Sequence, residues 1–117
     1  MIPVVVVREG ERGALVPLEF GTPLPFEPRR VFTISGVQPD QTRGRHHTPC
    51  DEFLIAITPS CEIAVGKGAD RTIYRLSTCD EGLYLPQGTY VELSNFQPEA
   101  VLLVACAEKY RPHARGD

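Results

Sequence analysis

The chain has 117 residues, a formal net charge of −3 and a hydrophobic fraction of 42%. This length suits one domain with a single core. The acidic balance gives no general attraction to nucleic acid, so a basic patch has to hold any anionic ligand. No segment is long enough to span a membrane, and the apolar first residues lack the features of a signal peptide. We therefore expect a cytoplasmic protein whose four widely spaced cysteines stay reduced.

In chain order, the sequence predicts short strands separated by glycine and proline turns. The β-branched run Val4–Val7 predicts a buried or interface strand. Strands are then expected at Ala14–Phe20 and Arg30–Val37, and Gly66–Asp70 is predicted to be a hairpin loop. The other predicted strands are Glu52–Thr58, Cys61–Val65, Thr72–Leu76, Gly82–Leu85, Tyr90–Leu93 and Ala100–Ala107.

The regular spacing of these strands indicates the fold class. We find no amphipathic helix, internal repeat or low-complexity tract, and many short strands with such turns are typical of a sandwich or barrel. The sequence therefore predicts an all-β jelly roll, a double-stranded β-sandwich, as a single domain over residues 1–110. Residues 111–117, which include His113, are predicted to be a polar tail.

Two sequence motifs carry potential metal ligands. His46-His47-Thr48 is followed by Glu52, and the segment Pro86–Val91 is followed by Asn95. Both resemble the metal-binding motifs of cupin jelly rolls, but a threonine and a valine stand where two of the three ligand histidines belong. One histidine and one glutamate are too few donors for a tight transition-metal site. We therefore predict no metal.

Further segments between residues 8 and 110 point to a narrower family. They are Glu11–Leu15, Pro25-Phe26, Arg30–Phe32, Arg43–Thr48, Pro59–Cys61, Gly82–Pro86, Asn95-Phe96 and Ala100–Ala105. In order and spacing they resemble the sugar-nucleotide 3,4-ketoisomerases, metal-free RmlC-like (WxcM-like) cupins that act on dTDP-4-keto-6-deoxyglucose. Arg43–Thr48 resembles that family's R-G-x-H-A-H motif, and Gly82–Pro86 its G-L-Y-I-P motif.

The resemblance implies a catalytic set. Moving a ketone from C4 to C3 requires removal of the C3 proton, an enediol and reprotonation at C4, and histidine has a suitable pKa for the base. His46 corresponds to the first histidine of the family motif, whereas Thr48 stands at the second. We predict that His46 is catalytic, that Tyr84 and Tyr90 are candidate proton donors, and that no cofactor is needed.

Arginines are the predicted substrate ligands. Arg30, Arg43 and Arg45 belong to a local basic concentration in an acidic chain, and guanidinium groups suit the diphosphate of a dTDP-hexose. In a regular strand, Arg43 and Arg45 share one face and His46 lies on the other. The remaining predicted substrate contacts are Thr48, Glu92 (also a candidate proton donor) and Asn95.

Two further alternatives stay open. Thr48 and Val91 also fit a catalytically weakened cupin that binds a sugar nucleotide or serves as a partner subunit. A sugar-nucleotide epimerase shares the first proton abstraction.

We also expect a homodimer. The apolar runs Val4–Val7 and Val101–Val104 offer more strand face than so small a sandwich buries. The resemblance implies that such a dimer exchanges N-terminal strands.

Overall fold

The computed structural model describes residues 1–110, which contain thirteen β-strands. They are β1 (Ile2–Pro3), β2 (Val7–Arg8), β3 (Ala14–Leu15), β4 (Glu19–Phe20), β5 (Pro23–Leu24), β6 (Arg30–Ser35), β7 (Arg43–His47), β8 (Glu52–Ala56), β9 (Cys61–Val65), β10 (Thr72–Leu76), β11 (Glu81–Leu85), β12 (Tyr90–Ser94) and β13 (Val101–Cys106). Two three-residue 3₁₀ turns, Gly10–Arg12 and Gly68–Asp70, accompany them. The predicted tail, with His113, lies outside the described residues.

Two antiparallel sheets face each other. The five-stranded sheet has the order β1-β11-β8-β13-β6, and the four-stranded sheet has the order β10-β9-β12-β7. Short pairs β2–β3 and β4–β5 lie beside them. This arrangement confirms the predicted all-β jelly roll. Within residues 1–110, no helix is long and apolar enough to cross a membrane.

The five-stranded sheet is covered on both faces. Leu54 and Ala56 of β8 face the core between the sheets, whereas Phe53 and Ile55 pack in a second cluster. The N-terminal part of the chain supplies that second cluster with Val4, Leu24 and Phe26. This double burial explains why β8 reads as an almost continuous apolar run instead of an alternating one.

The predicted strand at Val4–Val7 is wrong. The chain forms β1 before this run and β2 at its end, and only Val4 of the run is buried, because its side chain packs in the second cluster. The Val4 backbone N–H donates to the Asp80 carbonyl at 2.7 Å. The predicted strand Ala14–Phe20 is likewise divided into β3 and β4. Pro17 lies between the two parts, and a proline cannot donate a hydrogen bond to a strand ladder.

The central hairpin matches its prediction most closely. Strands β9 and β10 have the predicted bounds, and they pair antiparallel from Thr72 opposite Val65 to Leu76 opposite Cys61. The connecting loop contains Gly66 at a φ of 92°, a conformation that glycine adopts without strain. The sequence signals of this loop and its strands are local, so they were sufficient to define the hairpin.

Candidate active site

A cavity of about 180 Å³ lies between the two sheets. Four polar side chains line it: Arg30, Arg43, His46 and Glu52. The apolar part of its lining includes Phe32, Ile34, Leu54, Leu85 and Leu93. Among the described residues that line the cavity, His46 supplies the only imidazole and Glu52 the only carboxylate. Acid–base groups and cations are therefore concentrated in one largely apolar space.

A β-bulge in β7 brings Arg43 and His46 into this cavity together. His46 pairs with Val91 of β12, but the next pair joins Gly44 to Glu92, so Arg45 is an extra residue without a partner in the ladder. Gly44 and Arg45 adopt φ values of 88° and 62°, which accommodate the insertion. The predicted regular strand, with Arg43 opposite His46, is therefore wrong.

Arg45 and Glu92, both predicted to contact substrate, do not line the cavity. The Arg45 Nε donates a hydrogen bond to Glu92 Oε2 at 2.9 Å, and 63% of the Arg45 side chain is exposed. The bulge is the reason, because it directs the inserted arginine to the outer surface while its neighbours face inward. The basic pair in the cavity is Arg30 and Arg43.

Arg30 reaches the cavity because β6 alternates. Arg30, Phe32 and Ile34 line the cavity and are partly buried, while the residues between them are exposed. The Arg30 guanidinium lies 4.5 Å from the centroid of the Phe32 ring and 4.8 Å from that of Tyr110. These cation–π contacts hold a weakly hydrated cation at the edge of an apolar space.

Thr48 is a structural residue of the turn after β7 and does not line the cavity. Its side chain is buried, and Oγ1 donates to the Pro86 carbonyl at 2.7 Å and accepts from the Thr89 N–H at 3.1 Å. Backbone bonds between Thr48 and residues 88 and 89 close the same turn. The hydroxyl is thus occupied by the chain itself.

Tyr84 also lies away from the cavity. Its hydroxyl donates to Asp51 Oδ2 at 3.0 Å, and its ring packs against the N-terminal cluster, 6.4 Å from Phe26. Desolvation of the phenol and the bond to Asp51 raise its pKa. A raised pKa keeps the proton on the phenol at neutral pH, and the ring is on the opposite side of the five-stranded sheet from His46.

Tyr90 and Asn95 complete the predicted residues that the structure places elsewhere. The Lys67 Nζ lies 4.4 Å from the centroid of the Tyr90 ring, and His47 meets that ring edge-on at 5.2 Å. Asn95 Nδ2 donates to Glu62 Oε1 at 2.8 Å. Neither residue lines the cavity, so the structure brings only His46, Arg30 and Arg43 of the predicted site together.

Glu52 is the cavity residue that the predicted site left out. It is the first residue of β8, and it lies on the same face as Leu54, two positions later. That alternation is a signal present in the sequence. The register places Glu52 opposite Cys106 of β13, which is opposite Arg30 of β6, so these three residues form one row across the sheet.

Two thiols lie beside Glu52. The candidate ligand atoms of Cys50, Glu52 and Cys106 are all within 4.8 Å of one another. Burial, assisted by the negative charge of Glu52, raises the pKa of Cys106 to about 12. In this environment the Cys106 thiol keeps its proton at neutral pH.

Comparison with known proteins identifies the family. Residues 2–114 match the family described as FdtA: WxcM-like, C-terminal. The chain belongs to this family. Among curated proteins, this WxcM-like chain is 27% identical over 100 residues to the TDP-4-oxo-6-deoxy-alpha-D-glucose-3,4-oxoisomerase of Aneurinibacillus thermoaerophilus, covering 85% of this chain and 72% of that protein.

Two solved structures are similar in fold and sequence. A 3,4-ketoisomerase from Helicobacter canadensis has a TM-score of 0.90 and 29% identity, covering 97% of this chain and 86% of that one. A histidine-to-asparagine mutant of the 3,4-ketoisomerase QdtA from Thermoanaerobacterium thermosaccharolyticum, in complex with TDP-4-keto-6-deoxyglucose, has a TM-score of 0.87 and 29% identity, covering 96% of this chain and 81% of that one. The family predicted from the sequence motifs is therefore confirmed.

Proposed function

We propose that this WxcM-like protein is a sugar-nucleotide 3,4-ketoisomerase that moves the carbonyl of a dTDP-4-keto-6-deoxyhexose from C4 to C3. The observation that carries the proposal is His46, which lies in a cavity with two guanidinium groups and one carboxylate. Relatives of the chain are named for this reaction. The reaction needs proton transfer and charge stabilisation, which these groups supply.

His46 is the proposed base. Its Nδ1 is buried and its ring lines the cavity, so the imidazole faces the space where a sugar ring fits. It takes the proton from C3, which is acidified by the adjacent C4 ketone, and an enediolate forms. His46 then returns the proton to C4. No metal or organic cofactor is part of this proposal.

Arg30 and Arg43 are the proposed anion ligands. Negative charge develops on O4 as C3 loses its proton, and the two guanidinium groups that line the largely apolar cavity stabilise this charge. The cavity of about 180 Å³ is smaller than the roughly 300–1,000 Å³ of a typical ligand pocket. We therefore place the hexose ring inside and the dTDP portion at the cavity mouth.

A pair of adjacent histidines tests the proposal. His46 lines the cavity, whereas His47 lies on the outer face against Tyr90. With dTDP-4-keto-6-deoxyglucose as substrate and ¹³C NMR to locate the carbonyl, we expect the native protein and His47→Asn to form the 3-keto sugar. His46→Asn should lose at least about 100-fold in rate, the usual contribution of a general base. Equal rates for the two variants would contradict the role of His46.

A sugar-nucleotide binder without turnover is the second candidate function. It is favoured by Thr48, which stands in place of the second motif histidine and whose hydroxyl forms hydrogen bonds within the adjacent turn. A native protein that dTDP stabilises against heat but that leaves the keto sugar unchanged would support this candidate. An inverted stereocentre without carbonyl migration would instead indicate an epimerase.

A homodimer that exchanges N-terminal strands is part of the proposal. Within the described chain, β1 pairs with β11 over only two residues, and Val5 and Val7 expose 57% and 41% of their surface. Exposed apolar residues in an N-terminal segment are suited to a partner chain. We also place the protein in the cytoplasm, which the four free cysteines support.

A further inference from the structure

The cavity has one proton-transfer group on each wall. His46 projects from β7 of the four-stranded sheet, and Glu52 projects from β8 of the five-stranded sheet. The cavity of about 180 Å³ lies between these two walls. The imidazole and the carboxylate therefore enter it from different sheets.

The position of Glu52 is defined by its strand. Its backbone pairs with Leu85 of β11 on one side and with Cys106 of β13 on the other, and Leu54 continues the inward face. Arg30 lies two strands away in the same row, which is roughly 10 Å between backbones. The carboxylate thus enters the cavity from a rigid central strand beside a cation that also faces the ligand space.

The reaction needs two proton carriers. C3 and O3 must each lose a proton, and C4 and O4 must each gain one. The other candidate carriers are occupied away from the cavity, since Thr48 bonds the turn, Tyr84 bonds Asp51 and Tyr90 packs on the outer face. Among the described residues, His46 and Glu52 are the acid–base groups that line the cavity.

We infer that Glu52 is the second catalytic residue, which carries the oxygen proton while His46 carries the carbon proton. The inference rests on the proposed ketoisomerase function. After His46 breaks the C3–H bond, the electron pair forms the C3=C4 bond and the former carbonyl becomes O4⁻. The Glu52 carboxylate then accepts the O3 proton as the C3=O bond forms, the C3=C4 pair bonds to the proton returned by His46, and Glu52 gives its proton to O4.

This division conserves every atom and electron. The substrate loses a hydrogen from C3 and one from O3, and it gains one on C4 and one on O4. His46 begins and ends neutral, and Glu52 begins and ends as a carboxylate. No oxidant, reductant or second substrate takes part.

The test separates exchange at C3 from migration of the carbonyl. The substrate is dTDP-4-keto-6-deoxyglucose in D₂O, and ¹H NMR follows the C3 proton and the 3-keto product together. We expect Glu52→Gln to retain C3 exchange, which needs only His46, and to lose carbonyl migration by at least about 100-fold. His46→Asn should lose both. Glu81→Gln, the same change at an exposed residue of β11, should behave as the native protein does.

Two results would overturn the inference. One is a Glu52→Gln variant that exchanges the C3 proton and moves the carbonyl both at the native rates, since transfer of the oxygen proton would then need no carboxylate. The other is a folded Glu52→Gln that loses exchange and migration equally. If Glu52→Gln does not fold, Glu52→Asp serves instead and should lower the migration-to-exchange ratio; an unchanged ratio contradicts the inference. Failure of the native protein to exchange or migrate would refute the proposed function itself.

Discussion

The position of each side chain in the folded chain decides whether it can contact a ligand in the cavity. Thr48 illustrates this, because its position in the histidine motif suggested a substrate contact, yet its hydroxyl bonds Pro86 and Thr89 in the adjacent turn. A buried hydroxyl that accepts and donates within the chain contributes to stability and is not available to a ligand. The motif position alone could not reveal this, since the partners are about forty residues distant in sequence.

Thr48→Val tests the structural role of this hydroxyl. The substitution keeps the shape and removes both hydrogen bonds, so we expect the free energy of unfolding to fall by about 1–3 kcal/mol. Urea denaturation measures the change, and the affinity for dTDP should be unaltered. Thr72→Val, at an exposed residue of β10, is the control and should change stability little. A stable Thr48→Val with weakened dTDP binding would show that Thr48 contacts the ligand.

At the scale of elements, the bulge in β7 determines the composition of the site. Without the extra residue, Arg43 and His46 would point to opposite faces of the strand. The sequence contained a hint, since a glycine inside a strand often marks a bulge. Gly44 stands there because an added Cβ would lie 2.9 Å from the Val91 carbonyl oxygen. This signal was not sufficient to locate the bulge, because the strand register of β7 is set by its pairing with β12.

Gly44→Ala should disturb this element selectively. The residue has a φ of 88°, and the added methyl meets backbone of β12. Gly88→Ala is a matched control, because Gly88 has a φ of 86° but an added Cβ there meets nothing within 4 Å. Both variants carry the strain of about 1–3 kcal/mol expected for such a conformation, and Gly44→Ala should lose more stability and also catalytic rate. Equal losses of stability in thermal unfolding would contradict the importance of the contact.

Elsewhere, prediction succeeded where the signals are local. Turn residues and alternation defined the β9–β10 hairpin to the residue. The predicted strand at Val4–Val7 was wrong because the conformation of this run depends on distant parts of the chain. The chain leaves β1 after Pro3, and Val4 packs on the outer face of the five-stranded sheet. The family motifs pointed to the segment around His46, but only the assembled sheets show that Arg30, Arg43 and Glu52 share a cavity with it.

At the scale of the whole molecule, the exposed N-terminal segment allows a test of the proposed homodimer. Val5 and Val7 are exposed in the single chain, so Val5→Asp combined with Val7→Asp should cost the monomer little and should disrupt the proposed dimer. We expect sedimentation velocity to report a dimer for the native protein and a monomer for the double variant. Ile73 lies on the four-stranded sheet and its exposure is similar to that of Val5, so Ile73→Asp is the control and should remain dimeric. A native monomer would contradict the proposed dimer.

In the whole molecule, the two sheets contribute different polar groups to the cavity between them. The four-stranded sheet contributes Arg43 and His46, and the five-stranded sheet contributes Arg30 and Glu52. Each wall thus supplies one cation and one proton-transfer group. This pairing is the basis of the mechanism that we propose for a chain that lacks the second motif histidine.

One measurement tests the proposed function most directly: ¹H NMR of the native protein with dTDP-4-keto-6-deoxyglucose in D₂O. We expect the C3 proton signal to disappear while a 3-keto sugar accumulates, because the proposed base His46 removes that proton in the step that leads to carbonyl migration. A C3 signal that persists, with the carbonyl still at C4 after prolonged incubation, would contradict the account.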